Sequence, residues 1–384
     1  MIRKTSLFPI QVALLVCIYL FIGTGGVSAQ SGNNNGPTTG QIVLIDPNEP
    51  KGALKIKEKK GLDPVNGALG MLVRRGYVLI LAPTATAKVL CGDGKTRVLA
   101  PGPQGCPCIS PCTPASCGIN YNGSKIASMR GPDTDKGLFP IVVSPRKTML
   151  RNLRPAIRWL AIAGAKESTI YNVTLYGEGM KVIWTRDVAS ETKLTYPDNE
   201  PSLTPGRTYK IVITSDGLSS QQEHLPGLGF TTLTADQARA LADEEIKRKQ
   251  LELPEMQTRF VVSNLYVARE LYSEAIEQLE DLYTTTKEPA VIRMLGDLYV
   301  TVGLNREAEK KYLEALSLTS ANDLDGVGLI QENLAMVYEN LGIFDQAIAR
   351  LREATKAYRW LGNTAKVKAM LDKERDLKKP GGGL

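Results

Sequence analysis

Hydrophobic positions change their spacing along this chain, and the change predicts two kinds of structure. From about residue 41 to residue 233 apolar residues form short runs or alternate with polar ones, as in Tyr209, Ile211 and Ile213. Alternation is typical of β-strands. From Thr234 to about Lys378 the apolar residues recur every three or four positions, which is typical of amphipathic helices. The sequence therefore predicts a multidomain protein with an all-β N-terminal half and an all-α C-terminal third.

The helical third contains an internal repeat. Small, aromatic and leucine residues occur at the same seven offsets in two successive copies. The copies read Leu295, Gly296, Tyr299, Gly303, Ala308, Tyr312 and Ala315, then Leu334, Ala335, Tyr338, Gly342, Ala347, Leu351 and Ala354. Small residues at fixed positions let paired helices approach closely, and such pairs bury their core by stacking. This pattern resembles the tetratricopeptide repeat, whose unit is two antiparallel helices in about 34 residues.

The resemblance implies an all-α solenoid over residues 254–378. Its units are counted from Met256, Pro289 and Gly328, and a closing helix follows them. The connector from Ser320 to Val327 makes the third unit longer than usual, so we expect an extended turn there. Thr234 and Gln237 fit a capping box, which predicts that a linking helix occupies residues 234–253.

The resemblance also implies a partner-binding groove along the first helix of each unit. Its expected lining residues are Phe260, Asn264, Arg293, Asp297, Glu332 and Met336. This set mixes charges with apolar side chains and lacks the convergent Lys, Arg and Asn residues that would clamp a terminal carboxylate. We expect an extended or helical protein segment as the partner. The competing interpretation of any single position is an ordinary solvated helix residue.

Two β regions are predicted before the helices. Residues 41–103 contain short apolar runs and a hairpin turn at Asp93-Gly94, and Gly70 and Gly76 precede a strand. These features resemble the small β domain of FecR-like regulators. Residues 138–233 contain seven short predicted strands separated by turns. Together with Trp159, Trp184 and the turn at Pro205-Gly206, they resemble an immunoglobulin- or fibronectin-like sandwich, in which we expect both tryptophans in the core.

The N-terminus predicts export. Basic residues precede an apolar run from Leu7 to Ile22, and Val27-Ser28-Ala29 suits cleavage by a signal peptidase, so residues 1–29 are predicted to be a signal peptide. An uncleaved anchor is the alternative. After cleavage we expect no transmembrane segment and a periplasmic or extracellular location. By composition, residues 30–40 are a flexible linker and residues 379–384 a short tail.

Cysteines are concentrated in and near the Pro- and Gly-rich loop of residues 104–137. The candidates for disulfide bonds are Cys91, Cys106, Cys108, Cys112 and Cys117. In an exported protein disulfides are the default, and one bridge is expected to tie Cys91, at a strand end, to the loop. The pairing cannot be deduced from sequence, and the odd number leaves one thiol free or paired between chains. A thiolate metal site is the alternative, although the spacing fits a zinc ribbon poorly.

Composition and motifs give no indication of catalysis. The net charge of +7 is modest and acidic residues intersperse the helical third, so we expect no nucleic-acid partner. The single histidine, His224, lacks evident partners for a triad or a metal site. Gly94-Lys95-Thr96 lacks the earlier glycine of a phosphate-binding loop and reads as a hairpin turn. We therefore expect no enzyme activity, no cofactor and no metal.

These observations favour a non-catalytic exported scaffold that binds protein partners through a helical-repeat groove. An envelope signal-sensing or regulatory protein that uses the FecR-like module is the first alternative. A hydrolase with an unrecognised site is the second, and the poor histidine content argues against it.

Overall fold

The computed structural model describes residues 38–46, 52–58, 61–112, 137–223 and 227–379. The predicted signal peptide, most of the linker, most of the Cys-rich loop and the tail lie outside these residues. All described residues belong to one compact unit of the chain. None of the helices in these ranges is long and apolar enough to cross a membrane.

The first β region forms two four-stranded antiparallel sheets, here called the β domain. Their orders are β4-β1-β6-β7 and β3-β2-β5-β8. The strands are β1 (Thr38–Asp46), β2 (Leu54–Lys57), β3 (Val65–Asn66), β4 (Leu72–Arg74), β5 (Val78–Leu81), β6 (Thr86–Cys91), β7 (Thr96–Val98) and β8 (Gly102–Gly105). The central strand β1 is buried along nearly its whole length, because other elements cover both of its faces.

The second β region is a two-sheet sandwich. A larger sheet has the order β10-β17-β15-β12-β13 with β16 beside β15, and a three-stranded sheet has the order β14-β11-β9. The strands are β9 (Ile141–Ser144), β10 (Thr148–Leu150), β11 (Ile157–Leu160), β12 (Ile170–Tyr176), β13 (Val182–Ala189), β14 (Lys193–Leu194), β15 (Thr208–Ser215), β16 (Leu218–Ser219) and β17 (Phe230–Thr232). Trp159 and Trp184 lie in its core, as expected.

Eight helices follow, so the predicted fold class is confirmed. They are α1 (Ala235–Lys249), α2 (Glu255–Ala268), α3 (Tyr272–Thr285), α4 (Pro289–Thr301), α5 (Asn305–Leu318), α6 (Leu324–Asn340), α7 (Phe344–Leu361) and α8 (Thr364–Leu377). The capping box at Thr234 and Gln237 is present at the start of α1. The helices α2 to α7 form three successive hairpins, and α8 packs against α7.

The repeat positions act as the sequence predicts. A Cβ atom on Gly296 would lie 2.7 Å from the ring of Tyr312, so α4 and α5 can pack this closely only with glycine there. Gly303 ends α4 with a φ of +83°, a conformation that glycine adopts without steric cost. In the first unit Glu270 takes the corresponding place with a φ of +59°. Its carbonyl oxygen accepts hydrogen bonds from the sandwich residues Thr148 and Met149, which hold this less favourable conformation.

The connector before the third unit differs from the prediction. Ser320 to Asp323 lie in the turn between α5 and α6, but Leu324 to Val327 already belong to α6. The Asp323 side chain accepts a hydrogen bond from the Gly326 amide at 2.8 Å and caps the helix. The inserted residues therefore lengthen the helix by about a turn. This extra turn carries Asp325 into contact with the β domain.

One hydrophobic core joins the repeat to both β regions. It runs through the helices and includes Val43, Leu69 and Leu90 of the β domain and Ile141 of the sandwich. Burial of this shared apolar surface gives the three regions a common source of stability. The helical repeat is thus packed against the rest of the chain, and this packing determines which part of its inner face is accessible.

Candidate partner-binding site

The first-unit residues of the predicted groove lie beneath the β domain. The Asn264 amide nitrogen donates to the Gln41 side-chain oxygen at 2.9 Å, and the Gln41 amide nitrogen donates to the Gly70 carbonyl at 3.2 Å. Phe260 and Asn264 both have no exposed surface. A Cβ atom on Gly70 would lie 3.0 Å from Phe260, so the backbone of the turn before β4 packs directly on that ring. The β domain of the same chain therefore covers the inner face of the first unit.

The second-unit residues form a network inside the repeat. The Asp297 carboxylate pairs with Arg293 and accepts hydrogen bonds from the Tyr312 hydroxyl at 2.7 Å and from the Asn333 amide at 2.9 Å. Burial, followed by the charge of Asp297, raises the pKa of Tyr312. Because Asp297 links α4, α5 and α6, replacing it would disturb the helix stack as well as any ligand contact. Arg293 is buried, whereas the Asp297 side chain is 25% exposed.

The third-unit residues are the more accessible ones. The Glu332 carboxylate accepts hydrogen bonds from the Tyr358 hydroxyl at 2.7 Å and from the Lys366 ammonium at 2.7 Å, so it links α6 to α7 and α8. Its side chain retains 21% exposure. Met336, one helical turn later, is half-buried against the core. These two residues and Asp297 form what we call the open inner face.

The six predicted residues thus separate into two groups. Phe260, Asn264 and Arg293 are buried, and the open inner face retains access to solvent. The assignment of the six to partner binding stays a prediction. Because the β domain covers Phe260 and Asn264, an external partner can reach these two residues only if the β domain moves away.

A charged cluster attaches the β domain to the third unit, and no local sequence pattern predicted it. Arg74 at the end of β4 forms two hydrogen bonds with the Asp325 carboxylate, at 2.8 and 2.9 Å. The Asp325 amide donates to the Glu58 carboxylate at 3.3 Å. The partners stand about 250 residues apart in the chain, so local patterns carry no signal for this contact. A weak hint is the pair of aspartates at positions 323 and 325 in a segment expected to be a turn.

Burial controls the acid–base properties of this cluster. Burial removes water from the Glu58 carboxyl group and raises its pKa to about 10, and repulsion from Asp323 and Asp325 adds to this effect. Burial of the carboxyl group also raises the pKa of Asp323 to about 6, although the residue as a whole is half-buried. The pKa of the neighbouring Tyr77 is raised, mainly by burial. Glu58 therefore holds a proton near neutral pH that an ordinary surface carboxyl group would release.

A cavity of about 530 Å³ lies between the β domain and the repeat. Leu54 and Leu72 line it from the β domain, and Leu329 and Ile330 line it from α6. Arg293 and Asp323 contribute charged groups to the lining. The lining mixes apolar side chains with five charged residues, and a volume of this size lies within the range of ligand sites.

The disulfide predictions are confirmed in part. Cys91, at the end of β6, is bonded to Cys108, as expected for a bridge from a strand end to the loop. Cys112 is also disulfide-bonded. Cys106 carries a free thiol, whose sulfur lies 3.1 Å from the Thr39 hydroxyl oxygen. Cys117 and His224 lie outside the described residues. Within the described ranges, no three His, Cys, Asp or Glu residues converge in a way that could hold a metal ion.

Comparison with protein-family models gives no match, and neither does comparison with proteins of curated function. Among solved structures, one similar chain is YrrB, described as a TPR protein with an unusual peptide-binding site. It shares 20% identity over 37% of this chain and 80% of its own, with a TM-score of 0.26. A second is MamA, with 18% identity over 37% of this chain and 88% of its own, and a TM-score of 0.26.

Proposed function

We propose that this protein is a non-catalytic scaffold that holds a protein partner through the inner face of its helical repeat. The observation that carries the proposal is the contact between that face and β1. Asn264 and Met294 of the repeat both contact the Gln41 side chain, which projects from an extended strand. The inner face thus binds a side chain that projects from an extended strand, and extended segments are one of the forms in which peptides bind grooves.

The open inner face is the place where we expect an external partner. Asp297, Glu332 and Met336 combine two carboxylates with one flexible apolar side chain. Met adapts its shape to different apolar partners, and carboxylates favour basic or hydrogen-bond-donating groups. A segment with basic and apolar residues therefore suits this surface best.

Export is part of the proposal. The support is the Cys91–Cys108 disulfide together with the apolar N-terminal run. Disulfides persist in oxidising compartments such as the periplasm and the cell exterior and are rare in the cytosol. We also propose that the first β region is a FecR-like domain and that the second is an immunoglobulin- or fibronectin-like domain.

Regulation by the β domain is a second candidate function, favoured by a specific contact. The β domain covers Phe260 and Asn264, so its release would expose additional inner face. A signal that weakens the Arg74–Asp325 pair would then change what the repeat can bind. A protein that changes its binding in this way would act as an envelope sensor.

Site-specific photocrosslinking tests the scaffold proposal. A photoreactive phenylalanine analogue placed at Met336 should crosslink a defined protein in the native envelope fraction. The matched control is the same analogue at Leu313, which is exposed on the second helix of the second unit. Identical crosslinked bands at both positions, or none at Met336, would contradict the proposal.

A further inference from the structure

The last helix of the repeat, α8, is exposed along one side. Met370 and Leu377 are buried in the core. Lys368, Leu371 and Arg375 are exposed and follow one another at intervals of about one helical turn. Stacks of repeats normally end in a unit with a polar outer face, because no further unit covers it. Leu371 keeps 37% of its surface exposed, so this end of the stack departs from that rule.

A groove of about 400 Å³ lies between the end of α7 and the exposed side of α8. Val367 and Leu371 contribute apolar side chains to its lining, and Arg359 lines it from α7. Trp360, the residue after Arg359, is 66% exposed at the same end of α7. Tryptophan and arginine are enriched among the residues that contribute most to protein–protein binding. This surface therefore has the residue types of an interface.

The groove carries positive charge that the described residues do not neutralise. Neither the Arg359 guanidinium nor the Lys368 ammonium forms a hydrogen bond or an ion pair with a residue that the structure describes. The other basic side chains of α7 and α8 each contact a described acceptor: Arg350, Arg352, Lys356, Lys366, Lys373 and Arg375. Asp372 is the acidic residue of the lining, and Arg375 pairs with it at 3.3 Å. A carboxylate is therefore the electrostatic complement of this groove.

A helix is the shape of partner that suits this groove best. Val367 and Leu371 are one turn apart on α8, so apolar residues one turn apart on a second helix can pack against both. Each of the helices α2 to α7 packs against the helix that follows it, and a helix docked on α8 would continue this stack. A planar lipid surface, in contrast, does not enter a concave groove.

We propose that the groove between α7 and α8 docks an acidic amphipathic helix of a protein partner. The apolar side chains of that helix pack on Val367 and Leu371, and its carboxylates pair with Arg359 and Lys368. These residues are separate from the open inner face. A scaffold with both surfaces holds two partners at once, so this proposal goes beyond the function proposed for the inner face.

Fluorescence anisotropy of a labelled peptide titrated with the full chain tests this site. The peptide is two copies of Glu-Leu-Ala-Glu-Leu-Glu-Ala with capped ends, which place leucines along one face of an acidic helix. We expect saturable binding with a Kd below about 100 µM. Lys368→Glu introduces repulsion and Leu371→Asp removes an apolar contact, so each should weaken binding at least about tenfold. Lys247→Glu makes the same charge change on the exposed surface of α1 and is the matched control, whose Kd should stay unchanged.

A charge exchange keeps the test decisive even if a single variant is destabilised. The double variant Arg359→Glu with Lys368→Glu should bind the same peptide with Lys in place of Glu at least about tenfold more tightly than the native chain does. Such a gain requires a folded groove. The proposal is overturned if this gain is absent, if the acidic peptide does not bind the native chain at about 1 mM, or if Lys247→Glu weakens binding as much as Lys368→Glu.

Phosphatidylglycerol vesicles test the other source of negative charge. Cosedimentation of the native chain with these vesicles that Lys368→Glu abolishes, together with no binding of the acidic peptide, would overturn the helix proposal in favour of a membrane surface. Photocrosslinking at Met336 reports on a different surface. Crosslinks there without peptide binding would therefore overturn the groove proposal alone, and peptide binding without crosslinks would overturn only the inner-face proposal.

Discussion

The two ends of the repeat's inner face contain residues at equivalent places but have different surroundings. At the first unit, Phe260 and Asn264 are fully buried beneath the β domain. At the third unit, Glu332 and Met336 stay partly accessible and contact other repeat helices. The difference shows that the same position in a repeat can serve either the interior of a protein or its surface. Repeat position alone therefore does not identify a binding residue.

The largest expected contrast between the ends is in apolar burial. Phe260→Ala removes a fully buried ring and should lower the free energy of unfolding by about 4 kcal/mol. Met336→Ala truncates a half-buried side chain and should cost about 1 kcal/mol. Urea denaturation of both variants measures the difference. Equal losses would mean that the two ends are equally covered in solution.

The ion pairs give the next contrast. Arg74→Ala leaves Asp325 buried without its main partner and should destabilise the protein by about 3 kcal/mol. Lys366→Ala breaks the more exposed pair with Glu332 at the other end and should cost less than about 1 kcal/mol. Thermal melting of both variants in the same buffer measures the two losses of stability. A loss in Arg74→Ala as small as that in Lys366→Ala would argue against a firmly attached β domain.

The pH dependence gives the smallest effect and belongs to the covered end alone. Glu58 and Asp323 hold their protons more tightly in the folded chain than in the unfolded one, with pKa values of about 10 and about 6. Their contribution to stability is therefore complete below the ordinary carboxyl pKa. It falls as pH rises through about 6 for Asp323 and onward to about 10 for Glu58.

A comparison with Glu58→Gln isolates this effect from other titrating groups. Between about pH 6 and about pH 7 the native chain should lose on the order of 1 kcal/mol more stability than the variant. The Gln side chain cannot ionise, and its oxygen can still accept the hydrogen bond from the Asp325 amide. Urea midpoints measured across that range supply the test. Parallel curves for the two proteins would show that the folded chain does not hold a proton on Glu58 in this range.

Much of the helical third was predictable because its signals are local. The spacing of Gly296, Tyr299 and Gly303 already specifies a helix that packs closely and then ends. The capping box at Thr234 and the disulfide from Cys91 to the loop also follow from short stretches of sequence or from compartment chemistry. The extended turn predicted from Ser320 to Val327 was wrong in its second half, since a helix cap at Asp323 places Leu324 to Val327 in α6.

What the sequence by itself determined is the kind of element at each place: β-strands first, then helix pairs with a repeated set of small contact residues. Only the tertiary structure decided which inner-face positions are covered, which charges are buried together and where a cavity remains. The physical reason is distance along the chain. Contacts such as Gln41 with Asn264 and Arg74 with Asp325 join surfaces more than 200 residues apart, and their energy depends on shape and desolvation that arise only when the domains pack.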